Sequence, residues 1–225
     1  MPDNNTQSRP WIIVGTGDFA EVMHHYLTHE TTSPVAAFSV DSAYNTGGDF
    51  AGLPVVNFES LSETHPPGQY QVLVAIGYSK RNKIRQAKFE ACRSMGYAMP
   101  GYISRHATYY GTPVGENTII MEDNTIQPCT RIGDNCVLWS GNHIGHHGAI
   151  GDHVFISSHV VISGHVTIQN NVFLGVNATL RDGITVGEAA IIGAGAVMMN
   201  DAEARQVYPG PVTQAAPLPG ERVRL

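Results

Sequence analysis

Charge is scarce in this chain. Only 14% of its 225 residues are Asp, Glu, Lys or Arg, and 13 basic against 19 acidic residues leave a net charge of −6. No Lys/Arg cluster is present to neutralise a row of phosphates, which excludes a nucleic-acid surface. Long apolar runs are missing too. Trp11-Ile12-Ile13-Val14 meets glycine at once, far too short for a membrane helix or signal peptide, and the stretch before it is polar. Cysteine is rare and odd in number: Cys92, Cys129 and Cys136 have no metal-ligand spacing. That excludes a disulfide framework and points to buried thiols in a reducing, cytoplasmic setting.

What the chain has instead is glycine, 24 residues of it, and a period of six. Fifteen units follow one another without insertion from Val114 to Met198, led by Val114, Ile120, Ile126, Ile132, Leu138, Ile144, Ile150, Ile156, Ile162, Ile168, Leu174, Leu180, Val186, Ile192 and Met198. Seven of these leaders are followed directly by glycine. Helices and sandwich strands have no apolar period of six; a solenoid of short parallel strands does. Each unit forms one flat side, and three consecutive units close one triangular coil. Five coils at ~4.8 Å per layer stack to roughly 24 Å. The leading residues point inward and build a core that no single coil can bury.

The first hundred residues differ. Trp11 to Val14 reads as a strand that runs into Gly15-Thr16-Gly17-Asp18-Phe19-Ala20, then a helix with Phe19, Val22, Met23, Tyr26 and Leu27 on one face. Val35 to Val40 and Val72 to Ile76 read as further strands. Arg81 to Met95 reads as a second helix with Ile84, Ala87, Ala91 and Met95 along its apolar stripe. Such alternation predicts a small parallel sheet. The segment with Gly47-Gly48 and Gly52-Leu53-Pro54 is loop-rich around a short strand, and Gly101 to Pro113 leads into the first coil. The expected organisation is an α/β domain over 1–101 and a repeat domain with a short tail over 102–225. Gly15, Gly17 and Ala20 match the G-x-G-x-x-G/A fingerprint between strand and helix, where main-chain N–H groups face a pyrophosphate. Asp41, after the second strand, suits a ribose hydroxyl. The alternative is a tight turn that binds nothing. One such half-Rossmann unit suits a single nucleotide, such as the carrier of a nucleotide-linked sugar, rather than NAD.

Six of eleven histidines lie between His143 and His165. His147, His153, His159 and His165 take the fourth position of their units, a column otherwise rich in Asn, Asp and Gly. These residues tolerate positive φ, so the four histidines read as left-handed corners. His143 and His146 escape that explanation. His143 takes the sixth position, on a strand and facing outward. His146 takes the third, where its stacked neighbours one coil to either side are Pro128 and Gly164, which leave room for the ring. It is either a solvated surface histidine or a general base working near neutral pH.

On these residues the chain resembles the bacterial hexapeptide-repeat sugar acyltransferases, of the sialic acid O-acetyltransferase and nucleotide-4-amino-sugar N-acetyltransferase kinds. The resemblance runs nearly end to end, including a tail turn at Tyr208-Pro209-Gly210-Pro211. It implies a left-handed parallel β-helix, where connection rules alone favour the right-handed sense. It also implies a homotrimer with acetyl-CoA in the groove between neighbouring copies. Matched to Gly145-His146-His147-Gly148-Ala149-Ile150-Gly151-Asp152, the family's base falls on His146, with His147 standing where an acid is usual. The partner of the base is then Asp152, Asp134 or an acid of an adjacent copy, and His143 or His147 shares its work. By the same resemblance Gly164 and Asp182 line the CoA groove, and Gly15, Gly17 and Asp41 hold the nucleotide; a backbone N–H on the coil wall, at Gly164, is expected to steady the oxyanion. No metal is expected. The implied activity is direct acetyl transfer to the amine of a nucleotide-linked sugar. Its rivals are O-acetyl transfer on the same scaffold, a zinc hydratase of the carbonic anhydrase type with His147 and His165 among its ligands, and a trimeric scaffold without activity.

Overall fold

The computed structural model describes residues 9–214. Residues 1–8 and 215–225, which include most of the polar N-terminal stretch and the end of the expected tail, lie outside the described residues. The N-terminal part is a five-stranded sheet made of β1 (Trp11–Val14), β2 (Val35–Val40), β3 (Asp49–Phe50), β4 (Leu53–Asn57) and β5 (Gln71–Val74). Their order is β3-β4-β2-β1-β5, all parallel except the β3–β4 hairpin. β1 lies inside the sheet between β2 and β5 and is buried along its whole length, which explains an unbroken apolar run where an exposed strand would alternate. Helix α1 (Asp18–Glu30) buries Ala20, Met23 and Leu27, with Phe19, Val22 and Tyr26 packed beside them. The short α2 (Leu61–Thr64) buries Leu61.

Helix α3 (Lys83–Ser94) departs from the expected stripe. Its buried residues are Arg85, Phe89 and Cys92, while Ile84 is 37% exposed. The physical reason is a polar contact that outranks the aliphatic pattern. The Arg85 guanidinium is fully buried and donates to the carbonyls of Gly77, Asn135, His153 and Val154 and to Asn82 Oδ1, over 2.9–3.2 Å. Five acceptors match its fixed fork of donors. Burial lowers its pKa to about 10, which keeps it charged at neutral pH.

The repeats form a left-handed parallel β-helix with three faces. Every leading residue from Ile120 to Met198 is buried in one continuous core, and Val114 packs against it. Each strand pairs with its counterpart one coil on, as in Ile120–Leu138–Ile156–Leu174–Ile192 on the front face. The second face carries Ile126–Ile144–Ile162–Leu180–Met198. The third carries Ile132–Ile150–Ile168–Val186. Coiling extends past the regular units at both ends. Ile103 and Tyr109 already pair with Ile120 and Ile126, a single position short of a full coil. After Met198 the chain cuts its corner. Ala202 pairs with Val186 and Tyr208 with Ile192, each a shorter step than the regular coil makes.

The corners behave as the six-residue register predicts. Asn117, Asp123, Cys129, Asn135, Gly141, His147, His153, His159, His165, Asn171, Asn177, Gly183, Ala189 and Gly195 all have positive φ, between 52° and 77°. Asp201 does not join them, because the cut corner falls there. The N-terminal sheet packs on the front face. Trp11, Ile13, Phe38 and Leu73 share a core with Ile119, Val137 and Phe155, the outward residues of that face. The corner between the third and front faces is buttressed as well. Asn117 exchanges hydrogen bonds with Val74 of β5, and Asn82 donates to the Asn171 and Val172 carbonyls.

Candidate active site

His146 stands on the corner between the second and third faces, the edge of the prism opposite the covered front face. The local chain is Gly145-His146-His147-Gly148, entered from the strand His143–Ile144 and left into Ala149–Ile150. Thr130, one coil earlier, braces this turn at both ends: its hydroxyl donates to the Gly145 carbonyl (2.6 Å) and accepts from the Gly148 N–H (3.0 Å). The His146 N–H donates to Gln127 Oε1 at 3.0 Å, and its carbonyl accepts from the His165 N–H at 2.8 Å. The backbone is thus held on both sides while the ring projects into solvent.

Room for that ring comes from the next coil. A Cβ on Gly164 would stand 2.7 Å from His146 Cε1 and 3.0 Å from its Nε2. Asp182 Oδ1 approaches the same point to 3.0 Å, so the imidazole edge and the Asp182 carboxylate converge over Gly164. The Gly164 N–H has no acceptor among the described residues. His146 Nδ1 and His147 Nδ1 are 3.1 Å apart. His147 stacks on His165 at 5.2 Å and 17°, and His146 meets His165 edge-on at 5.2 Å. His143 sits one strand back between Thr125 and Val161, outside this group. A groove of about 490 Å³ opens beside His147, lined by Cys129, Thr130, Arg131, Ala149 and Thr167. A second, of about 400 Å³, shares Arg131, Ala149 and Thr167 and continues along the third face to Glu188.

Two acids considered as partners of His146 are elsewhere. Asp134 and Asp152 occupy the buttressed corner, where Asp134 accepts from the Glu116 N–H and from Arg93, and Asp152 from the Asp134 N–H. The six-residue step moves a side chain to the next corner of the triangle, so residues 146 and 152 cannot face each other. The acid that meets the His146 ring over Gly164 is Asp182, a residue that sequence reasoning had assigned to the groove. Thr130 and Gln127 were missed altogether.

Gly15, Gly17 and Asp41 gather at the carboxyl ends of β1 and β2. Gly15 has φ of 126°, and a Cβ there would lie 2.8 Å from the Ala75 carbonyl oxygen. Both facts require glycine. Gly17 has ordinary φ of −97°, and a Cβ added to it would meet nothing within 4 Å, so the fold itself makes no demand for glycine there. The Asp41 carboxylate forms an ion pair with Lys88 of α3, whose Nζ also lies 3.8 Å from the Phe58 ring centre. These residues stand on the covered side of the prism: Phe19 meets Trp139 at 5.3 Å, and Tyr78 meets Phe155 and Phe173 at 5.0 and 4.9 Å. A single chain therefore keeps the glycine loop and His146 on opposite sides.

The repeats match the model of the bacterial transferase hexapeptide over residues 112–146 and 165–200. No curated protein matches the chain by sequence. Among solved structures it is similar to PerB from Caulobacter crescentus in complex with CoA and GDP-perosamine, at 26% identity and TM-score 0.79, covering 88% of this chain and 92% of that one. It is also similar to the acetyltransferase domain of PglB from Neisseria gonorrhoeae, at 25% identity and TM-score 0.78, covering 88% and 95%. WeeI from Acinetobacter baumannii shares the fold at 19% identity and TM-score 0.76, covering 88% and 95%. The repeats carry the bacterial transferase hexapeptide, and along most of its length the chain is similar in fold to hexapeptide-repeat acyltransferases.

Proposed function

We propose that the protein is an acetyl-CoA-dependent N-acetyltransferase acting on a nucleotide-linked amino sugar, assembled as a homotrimer. The observation that carries this reading is the separation just described. One chain holds the glycine loop on its covered side and the exposed His146, with a groove alongside, at the far edge. Two neighbouring copies bring the loop of one to the histidine of the other. The likeness to PerB, a protein solved with CoA and GDP-perosamine, and to the acetyltransferase domain of PglB supports the choice of substrates.

In this reading His146 takes a proton from the sugar amine as its nitrogen attacks the thioester carbonyl. The C–N bond forms, the C–S bond breaks, and CoA leaves as the thiol. The Gly164 N–H steadies the oxyanion. His147 and Asp182 orient the base, and Asp182 and Gly164 line the groove. Arg131 supplies positive charge to the phosphates of CoA along the third face. Gly15, Gly17 and Asp41 receive the nucleotide, which requires Asp41 to share its carboxylate between Lys88 and a ribose. A positioned base is worth ~10²–10⁴ in rate, and holding both substrates in one groove supplies most of the rest, up to ~7–11 kcal/mol.

The test is a transfer assay on UDP-, dTDP- and GDP-linked amino sugars with acetyl-CoA, the product being followed by mass before and after mild alkali. An alkali-stable acetyl product is expected, and His146→Ala lowers kcat at least about a hundredfold. Near-full activity in that variant removes His146 from the mechanism. An alkali-labile product reassigns the acceptor to a hydroxyl.

A further inference from the structure

His165 has no part in the mechanism above, yet its ring belongs to the most concentrated group of ligand atoms among the described residues. One ring nitrogen each from His146, His147 and His165 lies within 4.8 Å of the other two, and all three residues are exposed. The corner geometry explains the backbone at 147 and 165, where φ is 54° and 58°. It does not explain the imidazoles, since Asn or Gly meets the same backbone need at other corners.

We infer that His146, His147 and His165 form a binding site for one nitrogen-preferring divalent transition ion, zinc or copper, and that the ion inhibits the enzyme. The β-helix assembles this site by repetition. Residues 147 and 165 take the same corner in successive coils, so their rings stack at 5.2 Å with only 17° between planes. His146 adds a third ring from the preceding position, edge-on to both. Nδ1 atoms of His146 and His147 are already 3.1 Å apart. Zn–N bonds of ~2.0–2.1 Å in a tetrahedron place neighbouring nitrogens about 3.3 Å apart. Small rotations of exposed rings bring the third nitrogen into that range. Cys129 holds the equivalent corner one coil earlier but lies outside the group, so the protein supplies three ligands and leaves one position to an exogenous donor. Neutral imidazole suits zinc and copper and not magnesium or calcium. The ligand set stands on geometry alone; the inhibition rests on the proposed role of His146, whose lone pair the ion occupies.

Titration of the full-length protein with zinc chloride, without nucleotide or CoA, tests the ligand set by calorimetry. One ion per chain is expected, His165→Ala weakens binding at least about tenfold, and His159→Ala, at another exposed corner, leaves it unchanged. Copper loaded at one equivalent shows nitrogen hyperfine splitting in its electron paramagnetic resonance spectrum, simplified in His165→Ala. In the transfer assay, zinc lowers wild-type activity at least about tenfold and EDTA restores it, while His165→Ala keeps its activity and ignores zinc. Absence of a saturable site, or equal affinity in His165→Ala and wild type, overturns the site. Zinc bound through these rings with transfer untouched overturns the inhibition and His146 as base together, and leaves the ligand set standing.

Discussion

Two corners of the prism share a backbone and differ in everything else. At the buttressed corner, Asn117, Asn135, His153 and Asn171 are all buried, and the side chains of the first three form a ladder. Asn117 donates to Asn135 Oδ1 at 2.8 Å, and Asn135 donates to His153 Nδ1 at 2.9 Å. At the opposite edge, Cys129, His147 and His165 repeat the same positive φ and are exposed. The turn selects from a short menu of residues that accept left-handed backbone. What stands against the corner then decides whether a histidine there is a strut or a chemical group. Helix α3 covers one corner, with Phe89 against its histidine and Arg85 on the carbonyl behind it; nothing among the described residues covers the other.

Removing the buttress has the largest expected effect. Arg85→Ala removes the guanidinium from four buried acceptors and the half-buried Gly77 carbonyl and costs about 3–5 kcal/mol of stability in denaturant unfolding. A loss below about 1 kcal/mol, the level of an exposed contact, would contradict the clamp. The glycine loop divides in the same way. Gly15→Ala destabilises by roughly 1–3 kcal/mol, since it strains the backbone and meets the Ala75 carbonyl. Gly17→Ala leaves stability unchanged and raises KM for the nucleotide sugar. Equal melting temperatures for these two variants would sink the distinction.

At the exposed corner, Gly164→Ala pushes a methyl against the His146 ring. We expect kcat to fall about tenfold, equivalent to ~1.4 kcal/mol, with unfolding little changed, because Gly164 does not have positive φ. An unaltered kcat would show that the ring's position over Gly164 is irrelevant. The smallest effect belongs to the buried histidine. Burial lowers the His153 pKa from its ordinary 6.5, and protonation would turn its contact with the Asn135 amide into donor against donor. As pH falls below about 6.5 the unfolded chain takes up the proton first, so stability declines toward acid and is full above that value. His153→Asn, the residue used elsewhere in the same column, reduces this acid sensitivity and leaves transfer intact. Thermal melts at pH 7.5 and 5.5 that shift identically in both proteins would remove His153 from the pH response.

Much of this was legible in the sequence because a period of six is hard to produce in any other way. The inward leaders, the corner column and the stacking of every third unit all follow from counting. The same count places residues 134 and 152 on a different corner from 146; it was available and unused. One further signal is the sixth position of every third unit. Ile119, Val137, Phe155, Phe173 and Ile191 mark the front face as covered, against Thr125, His143, Val161, Thr179 and Val197 on the second. Other features were not legible. The buried face of α3 depends on Arg85 meeting carbonyls of a distant turn, and helical periodicity carries no information about that. The cut corner after Met198 depends on which strand a short segment finds. The convergence of His146 with Asp182 over Gly164 needed side-chain placement, although steps of one coil had already put all three in one column.

That column works as a ruler. Positions 128, 146, 164 and 182 mark the same edge at intervals of one strand layer, ~4.8 Å, and the inward residues behind them are interchangeable aliphatics. An imidazole moved from one mark to the next travels a known distance along the groove while its surroundings stay the same. Acceptors of different length could therefore be matched by shifting the mark and leaving the frame alone.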